Sequence, residues 1–416
     1  MIRRFFICVS FVFFVFSPCF ADERIAEITP QDALEIAWKQ NSAILSARSR
    51  YEASIYDLKS AKSLSNPQFT FAPTVLGEDG SDSVLEFSQK LEINGIRNAR
   101  KYAALGKANE EKAMLLSVIN DVSLKTESSY WDFVKAGYDL DYNAENVAYF
   151  EALKTKIARQ VTLGFLPVFH LSRIDIELSK AKQELFLSEF EYERSLSELR
   201  KFLGFDENVK IRPICEVSLF SDIDKEDILA LALQKHPDIL LQKAKIQSAE
   251  GEERIAKTSR LPDLELIARK SSFEAKGGIA LALTFPIFDW GGISNQIKAS
   301  QKRKQNEKDM LVYAVKNIQS DLRISFLEFE TSMKIVREYE DGLMEKAEKI
   351  SILAEKAYEK GAAGFLDLTD SRRNFAQVRI QRIEALINCH KSLAKLRHSC
   401  AQFLIMEENG SNGGKL

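Results

Sequence analysis

The sequence predicts a mostly α-helical chain with a small β part: long antiparallel coiled-coil hairpins, four strands, and one arrangement written twice. Three observations carry this. Two proline-free stretches, 97–160 and 294–359, hold a helical pattern over lengths that no globular core requires. Short runs of period-two alternation occur in two pairs. The elements of the first half return in the second in the same order.

The N-terminus sets the compartment. Arg3 and Arg4 precede a nearly continuous apolar run, 5–16, followed by Ser17, Pro18, Cys19, Phe20, Ala21 and the charged Asp22 and Glu23. That order predicts a secretory signal peptide, residues 1–21, cleaved after Ala21. The apolar run is too short to span a bilayer comfortably as a helix. An uncleaved anchor and a lipidated Cys19 are the alternatives. No later stretch is apolar enough for a transmembrane helix. Barrel strands, with their weaker signal, stay open.

Two repeats, 22–203 and 225–405, flank a connecting segment, 204–224. At an offset of 195, Asp32 meets Asp227, Leu34 meets Leu229, Ala37 meets Ala232, and Pro67 falls on Pro262. At an offset of 197, Gly95 meets Gly292 and Gly164 meets Gly361.

Each repeat opens with a helix, 31–63 and 225–258, ended by Pro67 and Pro262 because the residue before proline is pushed out of the helical region. A strand pair follows: 68–72 with 84–93, around a Gly-rich loop at 77–81, and 263–269 with 278–287. Leu85, Phe87, Leu91 and Ile93 share one face; Glu86, Ser88, Lys90 and Glu92 share the other. Ile279, Leu281, Leu283, Phe285 and Ile287 likewise oppose Ala280, Ala282 and Thr284. The long helices come next, each on the order of 95 Å. Leu322, Phe326, Phe329, Met333 and Val336 step by four and three, a coiled-coil seam. Gly137 and Gly342 are not expected to break these helices. Breaks at 162–169 and 360–366 lead into final helices, 170–202 and 367–403. The two shorter helices of each repeat sum to about the long one's length, so they can stack end to end beside it. The tail, 406–416, is polar and Gly-rich, the composition of a disordered segment.

Composition narrows the function. The net charge of −2 becomes −4 once Arg3 and Arg4 leave with the leader, so no basic excess suggests nucleic acid. Cys215, Cys389 and Cys400 form no disulfide framework. Cys389 and Cys400 lie roughly 16 Å apart along one helix, beyond disulfide reach; a bridge from Cys215 stays open. The histidines, 170, 236, 390 and 398, do not converge on a metal-ligand pattern. No catalytic set or cofactor motif appears, so the chain reads as a non-enzyme without metal or cofactor.

Four strands leave open edges. Three copies would supply twelve, enough for a closed barrel. The duplicated order of strands, long helix, short break and helix resembles the TolC-like outer-membrane efflux protein family over nearly the whole mature chain. The segment 284–292 (Thr284, Phe285, Pro286, Ile287, Phe288, Asp289, Trp290, Gly291, Gly292) is similar to that family's signature after the last strand. Residues 89–97 resemble the first-half segment of its heavy-metal efflux branch, but depart from it at Asn94, Gly95 and Ile96. The resemblance implies a homotrimer in the bacterial outer membrane, with a helical tunnel in the periplasm. It also implies a periplasmic adaptor and an inner-membrane transporter as partners, in tripartite efflux or type I secretion. A soluble periplasmic coiled-coil scaffold without a barrel is the alternative.

The resemblance also points to sites. Gly361, Asp367 and Asp370 match the family's inner-hairpin pattern, in which the two aspartates close the tunnel as a ring. Helix capping by Asp367 and Asp370 is the competing reading. His170 and Arg173 replace the aspartates in the first half, which makes that tip the adaptor-facing one. Docking residues are then Gly164, Phe165, Leu166, Leu171 and Ser172 on the outer tip, and Gly361, Phe365 and Leu366 on the inner one. Leu85, Phe87, Leu281 and Leu283 are expected to face lipid.

Overall fold

The computed structural model describes residues 25–73, 83–207, 209–214, 225–271 and 277–406. The predicted leader, the 77–81 loop, Cys215 and the tail beyond 406 lie outside the described residues. The chain is mostly helical, with a small antiparallel sheet.

The first half begins with β1 (Ile25–Ile28) and two helices, α1 (Pro30–Gln40) and α2 (Ser42–Ala61), where one was expected. Asn41 makes the break. Its side chain accepts the Ala43 N–H at 3.0 Å and donates to the Phe202 carbonyl at 2.9 Å, which rewards leaving the helix there. The second half does the same with α5 (Lys225–Lys235) and α6 (Pro237–Thr258): His236 Nδ1 accepts the Asp238 N–H, and Pro237 opens α6.

The sheet order is β2 (Gln68–Pro73), β3 (Ser83–Leu91), β5 (Asp263–Ser271), β6 (Gly277–Thr284), all antiparallel. Strand β6 stops short of the expected 287 because Pro286 has no N–H to give to a ladder. A second sheet was not foreseen. In it β1 pairs in parallel with β4 (Lys210–Pro213), from the segment expected only to connect the halves. Tyr130 donates towards the Ile28 and Ile214 carbonyls at 3.1 and 3.0 Å, which ties this ribbon to the helices.

Helix α3 (Ile96–Thr162) runs 67 residues, about 100 Å, straight through Gly137. Helices α2 and α4 (Phe169–Leu203) lie along it, as their summed length predicted. The second long helix is interrupted. Helix α7 (Gly292–Glu338) ends at a π-helical turn, Tyr339–Leu343, before α8 (Met344–Glu359). Gly342 adopts φ 99° and Asp341 ψ 25°, so the expectation of an unbroken helix fails. Only glycine takes that backbone cheaply, and Arg382 of α9 (Phe365–Ser399) clamps the kink through Glu340 at 2.7 Å.

The predicted seam packs as expected: Leu322, Phe329, Met333 and Val336 are buried against Leu386, Leu393 and Leu396 of α9, with Phe326 at the margin. Helices α3 and α6 approach at Gly106 and Gly251. A Cβ on Gly106 would sit 2.6 Å from Ser248 Cα, and one on Gly251 2.6 Å from Ala103 Cβ.

Candidate functional site

The four-stranded sheet sorts its side chains by face. Cross-strand neighbours share a face, and one row reads Phe69, Phe87, Ala268, Ile279. The flanking rows add Phe71 with Leu85, Leu266 with Leu281, and Leu264 with Leu91 and Leu283. The opposite face carries Gln68, Ser88, Thr70, Glu86 and Arg269. All four predicted apolar residues stand exposed, from Leu85 at 39% to Leu281 at 63%. Strands β2 and β6 end the sheet, each with one unpaired edge. Among the described residues no helix is long and apolar enough to cross a membrane.

The helices turn at two tips. In the one between α3 and α4, expected to be the outer tip, Gly164 takes φ 76°. Phe165, Val168 and Phe169 project outward, Phe165 at 76% exposure. Gly164 and Ser172 are exposed. Leu166 and Leu171 are instead half-buried, packed on the core below.

In the inner tip Gly361 takes φ 69° and is exposed, as is Leu366. Phe365 departs from expectation. It is buried with Phe150, Leu153, Ile157 and Ile174 of the first repeat, and its ring faces those of His170 and Tyr358. Phe365 thus packs between the hairpins and braces the tip.

Asp367 and Asp370 are both exposed on the first turns of α9. Asp367 is the third helical residue, not the N-cap: its Oδ2 accepts the Gly364 N–H at 2.8 Å. Asp370 lies 3.9 Å from Arg373. A single chain brings the two aspartates to one tip.

Residues outside the predicted set tie the halves together here. Arg373 reaches Glu177 on α4, and Arg379 reaches Glu145 on α3 at 2.7 Å. Partial burial pushes the Glu177 carboxyl up, but the hydrogen bonds from Arg373 and Lys180 outweigh it and hold it below the usual range. Farther along α9, Lys391 pairs with Asp132, and Arg397 with the buried Glu127 at 2.8 Å. Burial raises the Glu127 carboxyl despite that arginine. The signal was present as basic residues recurring on α9 opposite acids on α3 and α4, but sequence alone did not show that these helices touch.

Part of this chain matches a known family. Residues 228–402 match the outer membrane efflux protein family. The matched residues run from α5 to just past the end of α9. A relative within reach of the whole chain is the cobalt-zinc-cadmium resistance protein CzcC of Cupriavidus metallidurans, 19% identical over 375 residues, 89% of each chain. Among solved structures, a membrane protein from Pseudomonas aeruginosa superposes with a TM-score of 0.78 at 16% identity, over 89% of this chain and 93% of that one. The Campylobacter jejuni CmeC outer membrane channel gives 0.76 at 16% identity, over 89% and 85%. These likenesses establish the outer membrane efflux protein fold for the chain.

Proposed function

We propose that this chain is the outer-membrane exit duct of a tripartite efflux or type I secretion system, a passive gated channel and not an enzyme. One observation carries the reading: an exposed apolar sheet face with two open edges, mounted at the end of the long helices. A soluble scaffold would leave that face to water, where contiguous apolar patches of this kind are rare. In a homotrimer, three sheets would close edge to edge into a twelve-stranded barrel whose apolar face meets outer-membrane lipid. The two similarly ordered halves would each supply one hairpin to a periplasmic helical tube, consistent with an internal duplication.

The exposed outer tip, Gly164, Phe165 and Ser172, is the surface for a periplasmic adaptor, which couples the duct to an inner-membrane transporter. Asp367 and Asp370 form the gate. Three copies would bring six carboxylates around one axis, a strongly negative constriction that selects cations. The CzcC likeness and the 89–97 segment support divalent metal ions as cargo. The test is reconstitution: detergent-extracted protein runs as a trimer and gives discrete conductance steps in planar bilayers. A soluble periplasmic monomer without conductance overturns the reading.

A further inference from the structure

All four chain crossings between sheet and helices lie at one end of the sheet, because Leu91 pairs with Leu264, Asp263 with Thr284 and Gln68 with Ser88. Each crossing exposes a large apolar side chain: Leu64 at 60%, Ile93 at 65%, Leu261 at 47% and Trp290 at 95%. Trp290 also sits at φ 48°, a left-handed backbone that a bulky L side chain disfavours. The turn that holds it is organised. Asp289 accepts the N–H groups of Gly291 at 2.9 Å and Ser294 at 3.3 Å. Phe288, 81% exposed, has its ring centroid 6.4 Å from that of Trp290. Among the described residues both rings stand largely exposed.

Cations gather beside this belt. Arg97 and Lys101 lie in the opening turns of α3, and Lys298 and Lys302 in those of α7. Lys62 and Arg260 follow the ends of α2 and α6. All six are exposed. Neither α3 nor α7 has an acid in its first turn; the Asp289 carboxylate, just before α7, caps that helix's first N–H groups. Of the nearby acids, Glu92 is paired with Arg100 and Glu253 with Lys257 and Lys304; Asp263 accepts from the neutral Asn94, and Asp289 accepts from the start of α7.

We infer that this junction is a collar for anionic phospholipid headgroups of the periplasmic leaflet. Trp290, Phe288 and Ile93 occupy the headgroup level, where amphipathic rings settle. The six cations just beyond meet lipid phosphates, where each basic residue near an anionic surface adds attraction. Continuity with the apolar sheet face and the excess of positive charge, six exposed cations against Asp263 and Asp289, favour lipid over a second copy, which would bring like charge towards like. The inference rests on the channel reading.

Tryptophan fluorescence tests it in the full-length protein reconstituted into phosphatidylethanolamine–phosphatidylglycerol vesicles. The chain has three tryptophans, and Trp38 and Trp131 are buried, so Trp290 is the reporter. A nitroxide on the lipid headgroup should quench severalfold more emission than one deep on the acyl chain, and Trp290→Phe should abolish the difference. The preference for spin-labelled phosphatidylglycerol over phosphatidylcholine should fall towards unity in Lys298→Gln/Lys302→Gln. Quenching of Trp290 by aqueous iodide alone places it in water and overturns the collar. Protection from both iodide and nitroxides places it under a second copy and also overturns it, as does an unchanged lipid preference. Protein that fails to float with the vesicles overturns the channel reading itself.

Discussion

Arg373 on α9 donates to Glu177 on α4 across 2.8 Å, one helical turn past Asp370. This contact joins the α8–α9 hairpin to the α3–α4 hairpin, and it predicts a measurable latch. Arg373→Ala should raise the fraction of time the reconstituted channel stays open. Its cost in stability should stay within about 1 kcal/mol, because the pair is partly exposed. Exchanging the two charges, Arg373→Glu with Glu177→Arg, should restore the wild-type open fraction in bilayer recordings. Because the folded Glu177 carboxyl is held below its ordinary value, its stabilisation is present above the ordinary carboxylate range. It is lost as pH falls through the depressed value. Wild-type opening should therefore rise only at acid pH, and Glu177→Gln should abolish that rise.

Asp367→Ala with Asp370→Ala should abolish block by trivalent cations applied from the periplasmic side in planar bilayers. The Gly364 N–H loses its carboxylate acceptor, so helix stability should fall by about 1 kcal/mol. A double mutant that assembles normally yet keeps full cation block would remove both residues from the gate.

Leu281→Arg or Phe87→Arg should impair membrane insertion, since a charge on a lipid-facing strand position costs roughly 2–4 kcal/mol near the midplane. Thr284→Arg, on the opposite face of the same sheet, should be far milder. Trimer yield from outer-membrane fractions separates the two, and equal losses would contradict the face assignment.

Phe365→Ala should destabilise the tip by about 3 kcal/mol by opening a cavity between the hairpins, seen as increased proteolysis near residue 361. Phe165→Ala should leave stability unchanged, because its side chain projects into solvent. It should weaken capture of the adaptor in cross-linking experiments. Reversed phenotypes would exchange the roles of the two phenylalanines.

Gly106→Ala and Gly251→Ala should each lower the unfolding midpoint of the detergent-solubilised protein. A methyl at either position meets the facing helix well inside contact distance, and overpacking of that kind costs about 1–3 kcal/mol. Gly137→Ala, whose methyl would make only an ordinary van der Waals contact with the Tyr192 ring at 3.9 Å, should be neutral or slightly stabilising.

The local features were legible in the chain. Period-two alternation placed Leu85, Phe87, Leu281 and Leu283 on one sheet face, and a four-three spacing placed Leu322 to Val336 on one seam. Both patterns depend on neighbours a few residues apart, where backbone geometry alone dictates which side chains share a face. What required the tertiary structure were the choices made between distant segments. Asn41 breaks a helix because Phe202 offers it a carbonyl, and β1 forms because Lys210–Pro213 lies alongside. Gly342 leaves the helix where Arg382 reaches across to Glu340, and Phe365 turns inward because the first repeat supplies a pocket. In each case a residue has two local conformations or orientations of similar energy, and a partner far off in sequence decides between them.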